Sequence, residues 1–150
     1  MNNEHIAKLR LFSRFYTSVI GLLDKQYLNS EFSLTEVRIM YELAHHEEGM
    51  TATEIIELLD LDKGYLSRIL QSFEKKKLVV KRRSDVDKRA WFLFLSPAGA
   101  KLYAGLDEAS QIHAAGLLAS LSDEEATALT GHMDAIRGIL KNSIGSGNEN

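Results

Sequence analysis

Ten basic side chains are concentrated between positions 63 and 89 of this 150-residue sequence. The same stretch contains three acidic residues and carries a net charge of +7, whereas the rest of the chain, with eight basic and eighteen acidic residues, carries −10. Clustered lysines and arginines bind phosphate groups and release the counterions condensed on nucleic acid. The charge distribution therefore favours a nucleic-acid partner, with a solvated charged surface as the alternative.

The apolar spacing in this stretch predicts a helix that could present the cations to DNA. The helix runs from Lys63 to Lys76 or Lys77 and follows a shorter one. Thr51 and Glu54 form a capping-box pair that opens the shorter helix. Two short helices joined by a tight turn form a helix-turn-helix, whose second helix enters the major groove. The candidate DNA contacts on that second helix are Lys63, Gly64, Tyr65, Ser67, Arg68 and Gln71.

These basic and polar side chains suit different kinds of DNA contact. The lysines at 75–77 and the basic run 81–83 suit phosphate contacts, which depend on charge and not on base sequence. Arg68 could hold a guanine edge through two hydrogen bonds, worth about 1–3 kcal/mol of discrimination, or it could bind a phosphate. Tyr65 could contact DNA or pack within the protein, and its position beside Ser67 and Arg68 favours the contact.

A change of the apolar period from 3.6 residues to 2 follows the second motif helix. The segments Leu78–Arg83 and Ala90–Leu95 predict two β-strands, with Phe92 and Phe94 on the face opposite Trp91, Leu93 and Leu95. The polar residues 84–89 predict the turn between them. A hairpin in this place is the wing of a winged helix. Its candidate DNA contacts are Arg82, Arg83 and Lys88.

Amphipathic helices are predicted on both sides of this winged segment. Apolar residues from Ile6 to Leu23 recur every three or four positions and predict a helix that ends near residues 26–30. Ser33 and Glu36 form the capping box of the next helix, which gives way to a polar loop at 45–49.

The C-terminal part of the sequence predicts two further helices. Ser96 and Pro97 are a helix start, and the apolar stripe that follows continues to Leu121. Ser122 and Glu125 form a third capping box, which opens the last helix. The fold class is therefore mainly α with a small β-hairpin.

Five short motifs in this arrangement match the pattern of a known family. They are Leu34-Thr35, the stretch Asp62–Leu70, the stretch Phe73–Val79, Asp87-Lys88-Arg89 and the stretch Leu95–Gly99. With them the sequence resembles the MarR family of transcriptional regulators, from about residue 10 to residue 140. It departs from the family at Ile56, where alanine is usual, and at Gly64-Tyr65, which replace small polar residues. The departures suggest an unusual base preference.

The resemblance implies a regulator, most simply a repressor, that binds a palindromic operator in double-stranded DNA as a homodimer. It implies a winged helix-turn-helix over residues 31–96 and a helical dimerisation region over 1–30 and 97–143. Residues 144–150 are expected to be a disordered tail, because they are polar and rich in glycine. By resemblance, Arg89 is the arginine that the wing inserts into the minor groove, and Asp87 is the carboxylate that braces the wing. A simple hairpin salt bridge between the two is the alternative.

The family also implies a pocket for a small-molecule effector between the DNA-binding lobe and the dimer helices. Aromatic side chains near these elements could line such a pocket, although each of them fits the core better. The candidates are Phe12, Tyr16, Tyr41, Phe73 and Trp91.

Other classes of function find little support in the sequence. The chain has no cysteine, so it cannot have a disulfide or a thiolate metal site. We expect no enzyme and no cofactor, because no phosphate loop or nucleophile elbow is present. The run His45-His46-Glu47-Glu48 fits a solvated loop better than a metal site. Amphipathic helices alone would fit a protein-interaction module, against which the charge distribution argues. Without a membrane-length apolar run or a secretory signal, we expect a cytoplasmic protein with no membrane partner.

Overall fold

A computed structural model describes residues 2–21 and 27–145 of the chain. Across these residues the fold is mainly α with one antiparallel hairpin, which confirms the predicted fold class. A single 3-10 turn covers Tyr27–Asn29. The other elements are α1 (Asn3–Val19), α2 (Leu34–His45), α3 (Ala52–Leu59), α4 (Lys63–Lys75), β1 (Val79–Arg83), β2 (Trp91–Leu95), α5 (Pro97–Leu118) and α6 (Asp123–Gly145).

The chain divides into two compact units, one up to Ser110 and the other from Gln111 onward. In the first unit, helices α2, α3 and α4 and the hairpin share one hydrophobic core. Helix α4 buries four apolar side chains at helical spacing, as its sequence predicts: Leu66, Ile69, Leu70 and Phe73. Because this stripe faces inward, the remaining positions of α4 face outward.

Two capping boxes fix the starts of α2 and α3, where the sequence predicts them. At α2, Glu36 Oε2 accepts the Ser33 N–H at 2.7 Å, and Ser33 Oγ accepts the Glu36 N–H at 3.3 Å. At α3, Thr51 and Glu54 make the same two bonds at 2.7 and 3.2 Å. Each pair satisfies two main-chain donors that a helix start would otherwise leave without a partner.

The hairpin is attached to the helical core along β2. Strands β1 and β2 pair from Val79 opposite Leu95 to Arg83 opposite Trp91. Leu93 is buried in the core, and its main chain exchanges two hydrogen bonds with Met50, just before α3, at 2.8 and 3.1 Å. The base of the wing is therefore held to the helix-turn-helix by both apolar packing and main-chain bonds.

Helix ends are where the structure departs from the sequence-based expectations. Helix α1 ends at Val19, because the chain then passes through Gly21 with φ +71°, a conformation typical of glycine after a helix. Helix α2 includes His45, which was expected in the loop. Helix α5 ends at Leu118, short of the expected Leu121, because Ser122 starts the next helix.

The predicted extent of two terminal segments can be compared only in part with the structure. Helix α6 continues through Gly145, so the expectation of a disordered tail from residue 144 is wrong at its first two positions. The other tail residues, 146–150, and residues 22–26, through which the first helix was expected to continue, lie outside the described residues.

In the second unit, the third predicted capping box begins α6. The main-chain N–H and the hydroxyl of Ser122 both donate to Glu125 Oε2, at 2.9 and 3.1 Å. These bonds, the main-chain one first, lower the pKa of Glu125 below its ordinary value, because they stabilise the ionised carboxylate.

Ser122→Ala is expected to raise the pKa of Glu125 part of the way toward its ordinary value, since the main-chain bond remains. A carboxylate with a lowered pKa adds stability above the unfolded-state pKa, and this contribution disappears as the pH falls through the folded-state pKa. The stability difference between wild type and variant should therefore shrink below about pH 4.5. NMR titration of the Glu125 carboxyl and thermal melts between pH 3 and 7 measure both effects. An unchanged pKa in the variant would contradict the role of the serine hydroxyl.

Candidate nucleic-acid interface

Helix α4 presents all its candidate DNA contacts to solvent. Its N-cap is Asp62, whose Oδ1 accepts the main-chain N–H of Tyr65 at 2.8 Å and so fixes the first turn. The buried stripe of α4 faces the core. All six candidates are exposed positions outside this stripe: Lys63, Gly64, Tyr65, Ser67, Arg68 and Gln71. The helix start, which contributes the base contacts in helix-turn-helix proteins, is thus accessible.

Tyr65 and Arg68 lie one helical turn apart and contact each other on the exposed surface. The Arg68 guanidinium carbon is 5.9 Å from the centre of the Tyr65 ring. The tyrosine side chain is not part of the core, and 37% of its surface is exposed. Of the two roles open to Tyr65, this placement favours contact with a partner over packing inside the protein.

Hydrogen bonds inside the wing loop hold residues 84–89 in a defined shape. Ser84 Oγ accepts the main-chain N–H groups of Val86 and Asp87, at 3.2 and 3.1 Å. Asp87 Oδ1 accepts the main-chain N–H of Arg89 at 3.0 Å. In the described part of the chain, no ion pair joins the side chains of Asp87 and Arg89. The carboxylate therefore contacts the main chain of Arg89, and the guanidinium of Arg89 is exposed.

The two arginines at the end of β1 lie against aromatic rings of β2. Arg82 is 4.8 Å from the Phe94 ring centre, and Arg83 is 5.8 Å from that of Trp91. The Nε of Arg83 also donates a hydrogen bond to the main-chain carbonyl of Lys88. Both arginines are exposed, so these contacts hold their side chains near the wing surface without burying the charge.

Some of the basic side chains between positions 63 and 89 form ion pairs within the protein. Lys76 lies 2.7 Å from Glu31 and 4.7 Å from the centre of the Phe32 ring. Lys81 forms an ion pair with Glu74. These two lysines are therefore weaker candidates for phosphate contacts than the sequence indicates.

A groove of about 790 Å³ lies between α3, α4 and the hairpin. Its lining includes the apolar side chains of Leu66, Leu70 and Leu93, which are buried in the core. Polar or half-exposed side chains from α4 and the wing also line it: Lys63, Ser67, Gln71, Glu74, Lys81 and Trp91. The structure thus brings candidates from α4 together with the base of the wing in one concave surface.

The five candidates for an effector pocket lie at separate places. Phe73 is fully buried in the core, and Trp91 lines the groove beside α4. Phe12 and Tyr16 stack on each other along α1, with ring centres 5.5 Å apart. Tyr41 lines a smaller pocket of about 240 Å³ between α2 and α5. The structure does not bring these five side chains together around one cavity.

The pocket beside Tyr41 contains residues that the sequence does not single out. The Arg38 guanidinium lies 5.0 Å from the Tyr41 ring centre, and Arg38 also pairs with the buried Glu42 at 2.6 Å. Tyr103 of α5 meets Tyr41 edge to face, with ring centres 6.4 Å apart. The spacing of Arg38 from Tyr41 on one helix could have indicated their contact. No local signal could have indicated Tyr103.

The side chains of the two neighbouring histidines, His45 and His46, contact main-chain carbonyl groups in the last turns of α2. His45 Nδ1 lies 2.8 Å from the carbonyl oxygen of Tyr41, and His46 Nδ1 lies 2.7 Å from that of Glu42. Across residues 2–21 and 27–145, no three histidine, aspartate or glutamate side chains are grouped so that they could hold a metal ion. Over the same residues, no helix has both the length and the apolar character needed to cross a membrane.

Comparison with known sequences relates the winged segment to one family. Residues 30–90 match the sequence model of the MarR family. A protein of Thauera aromatica, whose name assigns it to regulation of the hcr operon, is 25% identical over 131 residues, 87% of this chain and 72% of that protein. The HTH-type transcriptional regulator SarZ of Staphylococcus aureus (strain USA300) is 29% identical over 113 residues, 73% of this chain and 75% of SarZ.

Comparison with solved structures gives the same relationship at the level of the fold. A mutant MarR from E. coli, crystallised with operator DNA, aligns with a TM-score of 0.67 and 22% identity. The alignment covers 89% of this chain and 96% of that chain. At this level of identity the likeness shows a shared fold.

Proposed function

The chain belongs to the MarR family, and on that premise we propose that it is a sequence-specific DNA-binding transcription regulator without enzymatic activity. The observation that carries this proposal is the placement of α4 and a braced basic hairpin on either side of one groove, with every candidate DNA contact exposed. A winged helix of this kind places its second motif helix in the major groove and its hairpin beside the backbone or in the minor groove.

In this proposal, α4 and the wing contact different parts of the DNA. The bases are read by four exposed side chains of α4: Lys63, Tyr65, Ser67 and Arg68. Gly64 and Gln71 lie on the same exposed surface as further candidate DNA contacts. The wing supplies Arg89 to the minor groove, while Arg82 and Lys88 bind phosphates and Asp87 keeps the loop in shape. The exposed arginine at the end of a hydrogen-bonded loop supports this assignment.

We also propose that the regulator acts as a homodimer on a palindromic operator. Helix α1 buries none of its side chains in the described chain, and Leu9, Leu11 and Phe15 are each more than 60% exposed. In the second unit, Ile139 is 70% exposed. Apolar surface of this extent indicates a protein partner, and a two-fold symmetric pair of winged helices matches a palindrome. A dimer bound there would block access of other proteins to the operator, which is why repression is the expected mode.

Control by a small-molecule effector is the remaining part of the proposal. Of the five candidate residues, Tyr41 is the one placed at a pocket between α2 and α5. A ligand that binds more tightly to one spacing of the two winged helices would shift the population toward that spacing and so change DNA affinity. The volume of this pocket, about 240 Å³, would limit the effector to a small compound.

Selection of genomic DNA fragments at two salt concentrations tests the DNA-binding proposal. The recovered fragments should share a palindrome, and affinity should fall on the order of 10³-fold between 50 and 200 mM salt, as expected for about six phosphate contacts. Lys101→Ala removes one exposed charge from α5, outside the proposed interface, and serves as the control that leaves the salt dependence unchanged. Absence of binding, or binding that does not respond to salt, would rule the proposal out.

A further inference from the structure

The side chain of Arg83 folds back onto the wing from which it projects. Arg83 and Trp91 are the last paired residues of the hairpin before the loop. The Arg83 guanidinium lies over the Trp91 ring, and its Nε donates to the carbonyl oxygen of Lys88 on the far side of the loop. One side chain thus links both ends of the loop. A phosphate contact, which its charge alone suggests, would require it to leave these partners.

We propose that Arg83 is a positioning residue: it holds the loop of residues 84–89 in the shape that presents Arg89 to the minor groove. The effect on DNA rests on the proposed function, but its cause lies in contacts of the free protein. The Lys88 carbonyl that Arg83 holds immediately precedes Arg89 in the chain.

The other side-chain hydrogen bonds of the loop do not involve the Lys88 carbonyl, which Arg83 binds. Ser84 Oγ fixes the first half of the loop through the N–H groups of Val86 and Asp87. Asp87 Oδ1 fixes the N–H of Arg89. Neither contact engages the Lys88 carbonyl. Because Arg83 binds the Lys88 carbonyl and Asp87 binds the Arg89 N–H, both polar groups of the peptide bond between Lys88 and Arg89 are hydrogen-bonded.

Arginine is suited to this role, and lysine is not. The guanidinium is planar and can stack on an indole ring while its Nε donates a hydrogen bond in the same plane. A lysine ammonium carries the same charge but cannot make both contacts from one fixed geometry. Arg83→Lys therefore separates the positioning role from the charge.

Arg82 provides a matched control, because it is the neighbouring arginine and also lies over an aromatic ring, Phe94. It makes no hydrogen bond to the loop in the described part of the chain. Arg82→Lys keeps the charge and changes one cation–π contact, as Arg83→Lys does, but it leaves the loop contacts intact.

The first measurement is made on the free protein. In Arg83→Lys, amide hydrogen exchange of Arg89 and Ala90 should be about three- to tenfold faster, the range expected for loss of one hydrogen bond. Emission from Trp91, the single tryptophan, should also change. Arg82→Lys should leave both unchanged, and both variants should melt as the wild type does. Unchanged exchange in Arg83→Lys would overturn the proposal, whether or not the protein binds DNA.

The second measurement is a double-mutant cycle on DNA binding. If Arg83 acts through Arg89, Arg83→Lys should lower affinity about tenfold in the wild type and less than about twofold in an Arg89→Ala background. Arg82→Lys should have the same effect in both backgrounds. An equal loss for Arg83→Lys in both backgrounds would mean that Arg83 contacts DNA itself, which overturns the proposal. If the wild type bound no DNA, the proposed function would fail on its own, and the exchange experiment would still decide whether Arg83 braces the loop.

Discussion

Gly99→Ala is expected to destabilise the first unit by about 3 kcal/mol or more, at or above the upper end of the usual effect of overpacking. A Cβ atom at this position would lie 2.0 Å from the main-chain oxygen of Leu78. That oxygen cannot withdraw easily, because it accepts the N–H of Ser96 at 2.8 Å. The start of α5 and the start of β1 would have to separate, and the wing would lose its fixed base.

The stability change is measured by urea or thermal unfolding, with Gly105→Ala as the control in the same helix. A Cβ atom at Gly105 would meet no other atom within 4 Å, so its replacement should be neutral or stabilising by up to about 1 kcal/mol. Because both variants add one methyl group to α5, the comparison removes the effect of helix propensity. A Gly99→Ala protein as stable as the wild type would show that α5 does not approach β1 so closely.

Local signals in the sequence were sufficient to place most helix starts. Ser33, Thr51 and Ser122 each begin a helix with a capping box, since both partners of that motif lie within four residues of each other. The buried face of α4 could be predicted for the same reason, because helical periodicity decides which side chains share a face. These features depend on near neighbours alone.

Contacts between distant segments could not be predicted in this way. Tyr41 was proposed for an effector pocket because it is aromatic, but its partner Tyr103 lies on another helix, more than 60 positions along the chain. Phe73 belongs to the buried stripe of α4, and this stripe was a better guide to its location than its aromatic character. The contact of Arg83 with the Lys88 carbonyl depends on the loop shape, which charge counting does not reveal.

Arg89→Ala is expected to lower operator affinity about tenfold or more for each wing, and so about a hundredfold for a dimer that uses both. The guanidinium is exposed at the end of the braced loop, and a narrow minor groove attracts it through its negative potential. Alanine keeps the main-chain N–H that Asp87 accepts, so the loop should retain its shape. Fluorescence anisotropy with labelled operator DNA measures the loss, and size-exclusion chromatography with light scattering checks that the variant assembles as the wild type does.

Lys88→Ala is the control that shows whether Arg89 contributes only its charge or also its position in the minor groove. It removes one cation from the same loop and keeps the carbonyl that Arg83 binds. A lysine on a phosphate contributes affinity that is uniform across sequences, whereas an arginine in the minor groove favours the narrow groove of A·T-rich DNA. Arg89→Ala should therefore weaken binding more to operators with A·T-rich sequence under the wing than to G·C-rich versions, and Lys88→Ala should weaken both equally. Equal losses for both operators in Arg89→Ala would mean that this arginine contributes charge alone, and the minor-groove assignment would be wrong.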